Sequence, residues 1–188
     1  MDAYILPEGV IYMSKIKIRN YQILSAVFVA ILGTILHFVF KWSGNNLFVG
    51  AISAVNESTW EHLKLLYYPM LITIIVGHFY FGKDIDNFVC AKTVGILTAM
   101  IFTVVIFYTY TGIVGTNYAT INILIFYVAV VIGEYASYRI IISNLPCYKN
   151  VALIVLVVLL ACFVKFTYIT PQIGLFKDSV SENYGIVD

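Results

Sequence analysis

The run Asn56-Glu57-Ser58-Thr59-Trp60-Glu61-His62-Leu63-Lys64 puts two carboxylates, an imidazole and an amine into one short stretch. Carboxylate oxygens and imidazole nitrogens are the ligand types that hold zinc or a similar divalent ion, and they also run acid and base chemistry. The spacing is not that of a known metal signature. There is no HExxH, and Glu61 and His62 are neighbours whose side chains diverge by ~100° on a helix. Any such chemistry therefore needs further groups from elsewhere in the chain, brought in by the elements that carry them.

Those elements are membrane spans. With 61% hydrophobic residues, 11% charged residues and a mean hydropathy of +0.92, a soluble domain would expose large apolar patches. A hydrocarbon core of ~30 Å needs ~20 apolar helical residues, and five segments qualify, at about 20–40, 62–81, 90–113, 118–141 and 150–170. The apolar runs are continuous rather than alternating, which favours helices over a β-barrel. The expected fold is all-α: a polytopic transmembrane helix bundle of about five spans. The connection from Lys41 to Thr59 is long and apolar at Leu47-Phe48-Val49-Gly50-Ala51-Ile52, so it is expected to fold back as a re-entrant or interfacial segment. The chain divides into a segment at 1–19, a helical transmembrane domain at 20–170 and a tail at 171–188.

A net charge of +1 offers no strong field for nucleic acid, and the expected partner is the lipid bilayer. Lys15, Lys17, Arg19, Lys83, Lys92, Arg139 and Lys149 flank spans on one side, whereas Lys41, Lys64 and Lys177 lie on the other, with Lys165 inside span 5. The positive-inside rule then predicts a bacterial plasma-membrane protein with its N-terminus in the cytoplasm and its C-terminus outside. Cys90, Cys147 and Cys162 are odd in number and lack CxxC spacing, and the first two fall near the reducing face, so no structural disulfide is expected.

In that topology the polar residues sort into two levels. The outer level gathers His37 from span 1; Glu57, Glu61, His62 and Lys64 at the start of span 2; Tyr108 and Tyr110 ending span 3; and Lys165 in span 5. Asn56 and Trp60 complete the candidate ligand-binding set, within which Glu57, Glu61, His62 and His37 are the candidate metal ligands. The competing reading pairs Glu57 or Glu61 with Lys64 or Lys165 and leaves the histidines hydrogen-bonded to tyrosine or backbone. Convergence at one depth favours a site, because an isolated buried ion pair can be replaced by apolar packing at little cost. The inner level holds His78 and Glu134, expected to pair, with Lys83, Asp84, Asp86 and Arg139 at the nearby surface.

Local signals leave alternatives open. Span 2 starts with Asn56 as cap, or with Ser58 as cap, in which case Ser58-Thr59-Trp60-Glu61 is a capping box. Pro69 interrupts that span. Ala26, Ala30 and Gly33 form a small-residue stripe, for internal packing or for docking a partner or a second copy.

The motif from Val55 through Leu66 with Pro69 after it, the run Phe107-Tyr108-Thr109-Tyr110-Thr111-Gly112 and the tail from Pro171 through Gly185 resemble an uncharacterised family of small multi-pass membrane proteins from Gram-positive bacteria. The likeness covers most of the chain from about Lys15 onward. It implies a small helical membrane protein with weight on the outer-level residues, and no activity. From the residues themselves, the expected function is binding of a small solute, ion or lipid headgroup in an outer-facing buried polar pocket, for transport or sensing. One alternative is an intramembrane metal-assisted hydrolase or lipid-modifying enzyme using a divalent metal, with Glu61 as general base. Another is a structural subunit of a membrane complex.

Met13-Ser14-Lys15-Ile16-Lys17 reads as a natural start, making residues 1–12 a dispensable extension. Starting the chain at Met13 is expected to leave membrane expression unchanged, as measured by immunoblot of isolated membranes.

Overall fold

The computed structural model describes residues 8–81, 85–143, 145 and 147–186, with side chains from Lys15 onward. Its helices are α1 (Glu8–Trp42), α2 (Leu47–Gly50), α3 (Thr59–Phe81), α4 (Phe88–Val114), α5 (Ala119–Ser143) and α6 (Lys149–Tyr168), followed by a short 3-10 turn at Gly174–Phe176. Five of these helices, all but α2, are long and apolar enough to cross a membrane. Among the described residues β structure is limited to two isolated bridges, Ser58 with Asp178 and Lys177 with Tyr184. The first helix begins well before residue 20 and runs through Met13. Lys83 and Asp84 lie outside the described residues.

The middle of the bundle is α3 and α4: 56% of the apolar window of α3 and 50% of that of α4 is buried, against 28% or less for α1, α5 and α6. The outer helices turn Leu24, Ile31, Ile123, Leu124, Ile154 and Val157 outward, as a bilayer solvent requires. Two helices that both face lipid gain nothing from excluding water, so close approach must come from small residues. On α4 and α5, a Cβ at Gly95 would stand 2.6 Å from the carbonyl oxygen of Gly133, and one at Gly133 would stand 2.7 Å from that of Gly95.

The stripe on α1 packs internally in the same way. A Cβ at Gly33 would meet the Leu65 carbonyl oxygen at 2.6 Å, and Ala26 packs on the main core. Leu65 is four residues before Pro69, which has no N–H to offer that carbonyl. The glycine thus lets α1 lie against the stretch of α3 backbone whose helical bond proline removes, where a Cα–H can approach the freed oxygen.

The α1–α3 connection folds back over one end of the bundle, hereafter the motif end. Asn46 caps the single turn of α2 by accepting from the amides of Phe48 (2.9 Å) and Val49 (3.4 Å). Carbonyls of this connection are taken up by side chains from the long helices: Tyr168 donates to Leu47 O at 2.6 Å and Tyr68 to Ala51 O at 2.7 Å.

At the opposite end the expected His78–Glu134 pair does not form. Glu134 on α5 is bound instead by Lys92 on α4, with Nζ at 2.6 and 2.7 Å from the two carboxylate oxygens, and Lys92 also donates to Gln22 Oε1 on α1 at 3.1 Å. Lys92 is fully buried rather than flanking a span. The reason is steric: the Gly95–Gly133 crossing brings α4 and α5 close enough for Lys92 to reach one turn across, whereas His78 sits on α3. Cys90 and Cys147 are joined as a disulfide, contrary to expectation. Asn87, donating to Ile140 O and Leu145 O, draws the α5–α6 connection onto the start of α4 and so brings the two sulfurs together.

Gly95→Ala and Gly133→Ala are each expected to lower stability by ~1–3 kcal/mol through overpacking against backbone. Gly112→Ala, with open space around its Cβ position, is expected to leave the melting temperature unchanged or slightly raised. Thermal unfolding in detergent compares the three.

Candidate functional site

The start of α3 is set by Ser58, whose Oγ accepts from the Glu61 amide at 3.3 Å. The capping box is half made, because the Glu61 carboxylate does not return to Ser58. The Ser58 amide is taken by Asn56 Oδ1 at 2.9 Å, and Glu61 Oε2 accepts from the Val55 amide at 3.0 Å. Asn56 Nδ2 donates onward to Gly185 O in the tail at 2.7 Å, so this side chain ties loop to tail rather than facing a cavity.

Glu61 and Lys64 form a buried ion pair, Nζ to Oε2 2.5 Å, one turn apart on α3. The ammonium has three protons and three acceptors: Glu61, Gly50 O at 2.8 Å and Thr167 Oγ1 on α6 at 2.9 Å. The ammonium has no proton left over for a ligand, and Glu61 Oε2 is shared by Lys64 and the Val55 amide. The pair joins the folded-back connection, α3 and α6 at a single point.

Glu57 is different. It precedes the helix, its carboxylate is partly exposed, and it lies between two imidazoles: His62 Nε2 is 3.4 Å from Oε2 and His37 Nε2 is 3.7 Å from Oε1. The two rings are tilted by 31° with centroids 5.2 Å apart. His62 Nδ1 lies 2.8 Å from the Ser58 carbonyl, which can only accept, so Nδ1 carries the proton. Nε2 then meets Glu57 as the second N–H of an imidazolium or, in the neutral ring, as a lone pair. As a donor, His62 holds the Glu57 carboxyl below its ordinary range, against partial burial, which raises it. His37 Nδ1 is buried without a partner.

The backbone of Glu57 is gripped by the tail. Asp178 Oδ2 accepts from the Glu57 amide at 3.0 Å, and Ser179 Oγ donates to its carbonyl at 3.1 Å. Asp178 is itself buried and also receives the amides of Val180 and Ser181. Beside Glu57 and His62 a cleft opens between α3, α4 and α5, with Thr59, Thr103 and Asn122 as further polar lining and Phe107 and Phe126 among the apolar walls.

The structure therefore brings together three of the four candidate metal ligands, His37, Glu57 and His62, and sets Glu61 apart with Lys64. Trp60 points to the α6 side, its ring 4.7 Å from Phe163 and 4.8 Å from Phe176. Tyr110 donates to Asn122 and accepts from the Tyr118 amide, closing the α4–α5 turn. Tyr108 is exposed and lines a separate open groove beside the tail. Lys165 is exposed and lies over the Phe166 ring. Thr167 and Asp178 are residues that the spacing along the chain did not single out. Each is one polar side chain in an otherwise ordinary context, and its role comes from the element it meets.

If the Glu61–Lys64 pair is structural, Lys64→Met is expected to destabilise by ~3–5 kcal/mol through the carboxylate left unpaired, and adding Glu61→Leu to recover much of that. Thermal unfolding of the single and double variants checks it.

No curated protein and no solved structure matches the chain. A family described as a family of unknown function (DUF6512) matches residues 11–186, nearly the whole chain and all of the site described above. The chain belongs to this family of unknown function, DUF6512.

Proposed function

We propose that this is an integral membrane protein of the bacterial plasma membrane that binds a small solute, ion or lipid headgroup at the motif end, for transport or sensing. The observation that carries the reading is the meeting of His37 on α1 with Glu57 and His62 of the motif, beside a cleft, while the other charges of the motif are neutralised within the fold. A purely structural role would be expected to pair Glu57 as completely as Glu61.

Orientation follows from the charges left free. Lys15, Lys17, Arg19, Arg139 and Lys149 sit toward the end opposite the motif, which supports a cytoplasmic N-terminus and an outward-facing site. The same orientation places Cys90 and Cys147 on the cytoplasmic side, where thiols are kept reduced. The Cys90–Cys147 disulfide is thus the one observation that argues against this orientation. Catalysis is the weaker reading, because Glu61, the base it would use, is held by Lys64 and by the Val55 amide.

Native mass spectrometry of the detergent-purified wild type beside Glu57→Gln tests the reading. The expected result is a bound mass on the wild type that the variant lacks. Identical, bare spectra from two folded proteins would count against it.

A further inference from the structure

Resting on that outward-site reading, we infer that the ligand held by His37, Glu57 and His62 is a divalent first-row cation of borderline softness, zinc being the type, with the cleft side left open for water or a further ligand. The ligand atoms of the three residues all lie within 4.8 Å of one another. Bonds of ~2.0–2.2 Å to nitrogen and oxygen in a tetrahedron put neighbouring ligand atoms ~3.3–3.5 Å apart. Two edges are close to that length, 3.4 Å from His62 Nε2 to Glu57 Oε2 and 3.7 Å from His37 Nε2 to Glu57 Oε1. A cation would draw both imidazoles onto the one carboxylate, and the set as a whole closes in from within 4.8 Å.

The tautomer of His62 is compatible with such a site. With Nδ1–H donating to the Ser58 carbonyl at 2.8 Å, the neutral ring aims its Nε2 lone pair at a carboxylate. Two acceptors face to face repel, and either a proton on Nε2, as in the imidazolium paired with Glu57, or a cation between them resolves the conflict. A metal-bound histidine characteristically donates its other N–H to a carbonyl or carboxylate, which fixes the ring. Protonating both imidazoles instead would stack two like charges on rings 5.2 Å apart.

The donor set sets the metal class. Two imidazoles and one carboxylate suit zinc and its neighbours, whereas calcium and magnesium take oxygen ligands. Three protein ligands with a free position is the pattern of sites that bind an exchangeable fourth ligand. Glu57 and His62 line the cleft into which such a position would open. Lys41, one turn beyond His37 on α1, is the positive charge working against a cation.

The test uses the full chain in detergent, stripped with chelator, and titrated with cobalt(II) and then zinc. Expected are the visible absorption of a low-coordinate cobalt site, its displacement by about one equivalent of zinc, and affinity weakened by more than ~10-fold in His37→Gln and His62→Gln, with Lys165→Met unchanged. Wild-type protein gives a check that needs no variant: saturating zinc is expected to shield His37 and His62 from diethyl pyrocarbonate. No uptake by wild type, uptake unchanged in both folded histidine variants, or unprotected rings in zinc would each overturn the inference. An organic mass on wild type that Glu57→Gln lacks, with no metal taken up, would overturn the metal and leave the outward-site reading standing. Absence of both would end both.

Discussion

The Glu61–Lys64 pair is the constraint on which the motif end depends. A carboxylate and an ammonium buried in an apolar bundle are tolerable only if each finds partners inside the protein. Here one ammonium binds a carboxylate on its own helix, a carbonyl from the folded-back connection and a hydroxyl from α6. The same carboxylate oxygen, Oε2, also accepts from the Val55 amide, and Oε1 lies 3.4 Å from the Thr167 hydroxyl. The pair therefore pins three segments together, alongside the bonds that Tyr68 and Tyr168 make to the same connection.

Position of Glu57 follows from that pinning. With Val55 held from inside and Asn56, Glu57 and Ser58 held from the tail side, the loop has little freedom, and its one unneutralised carboxylate is directed at His62 on α3 and His37 on α1. The motif thus divides its labour between adjacent helical turns. Glu61 and Lys64 stabilise, and Glu57 and His62 present. A site built on a rigid helix start and a tied loop keeps its geometry without a ligand.

Lys92, Glu134 and Gln22 repeat the first arrangement at the other end, again drawing on three helices. There, however, Lys92, Glu134 and Gln22 are all buried, and Gln22 Nε2 and Ser25 Oγ are left without partners. The two ends share a way of joining helices but differ in access: Lys92 and Glu134 are buried, whereas the Glu57 carboxylate is partly exposed.

How much of this could be read from the chain depends on the range of the interaction responsible. Membrane spans are a property of local composition, so the five long helices and the all-α class were legible, as was the importance of the motif, because charges in apolar surroundings are conspicuous. The two capping choices at Asn56 and Ser58 were also visible, since caps involve residues three apart. What only the tertiary structure decided was pairing. Glu57 and Glu61 are chemically alike and close together in the chain, yet Glu61, inside α3, is paired with Lys64, and Glu57, before the helix, faces two histidines. Likewise Glu134 takes Lys92 rather than His78, because a glycine crossing elsewhere sets the distance between α4 and α5. Side-chain types say which partners are chemically acceptable, but an ion pair is decided over a few ångströms, and those are set by backbone contacts between residues far apart in the chain.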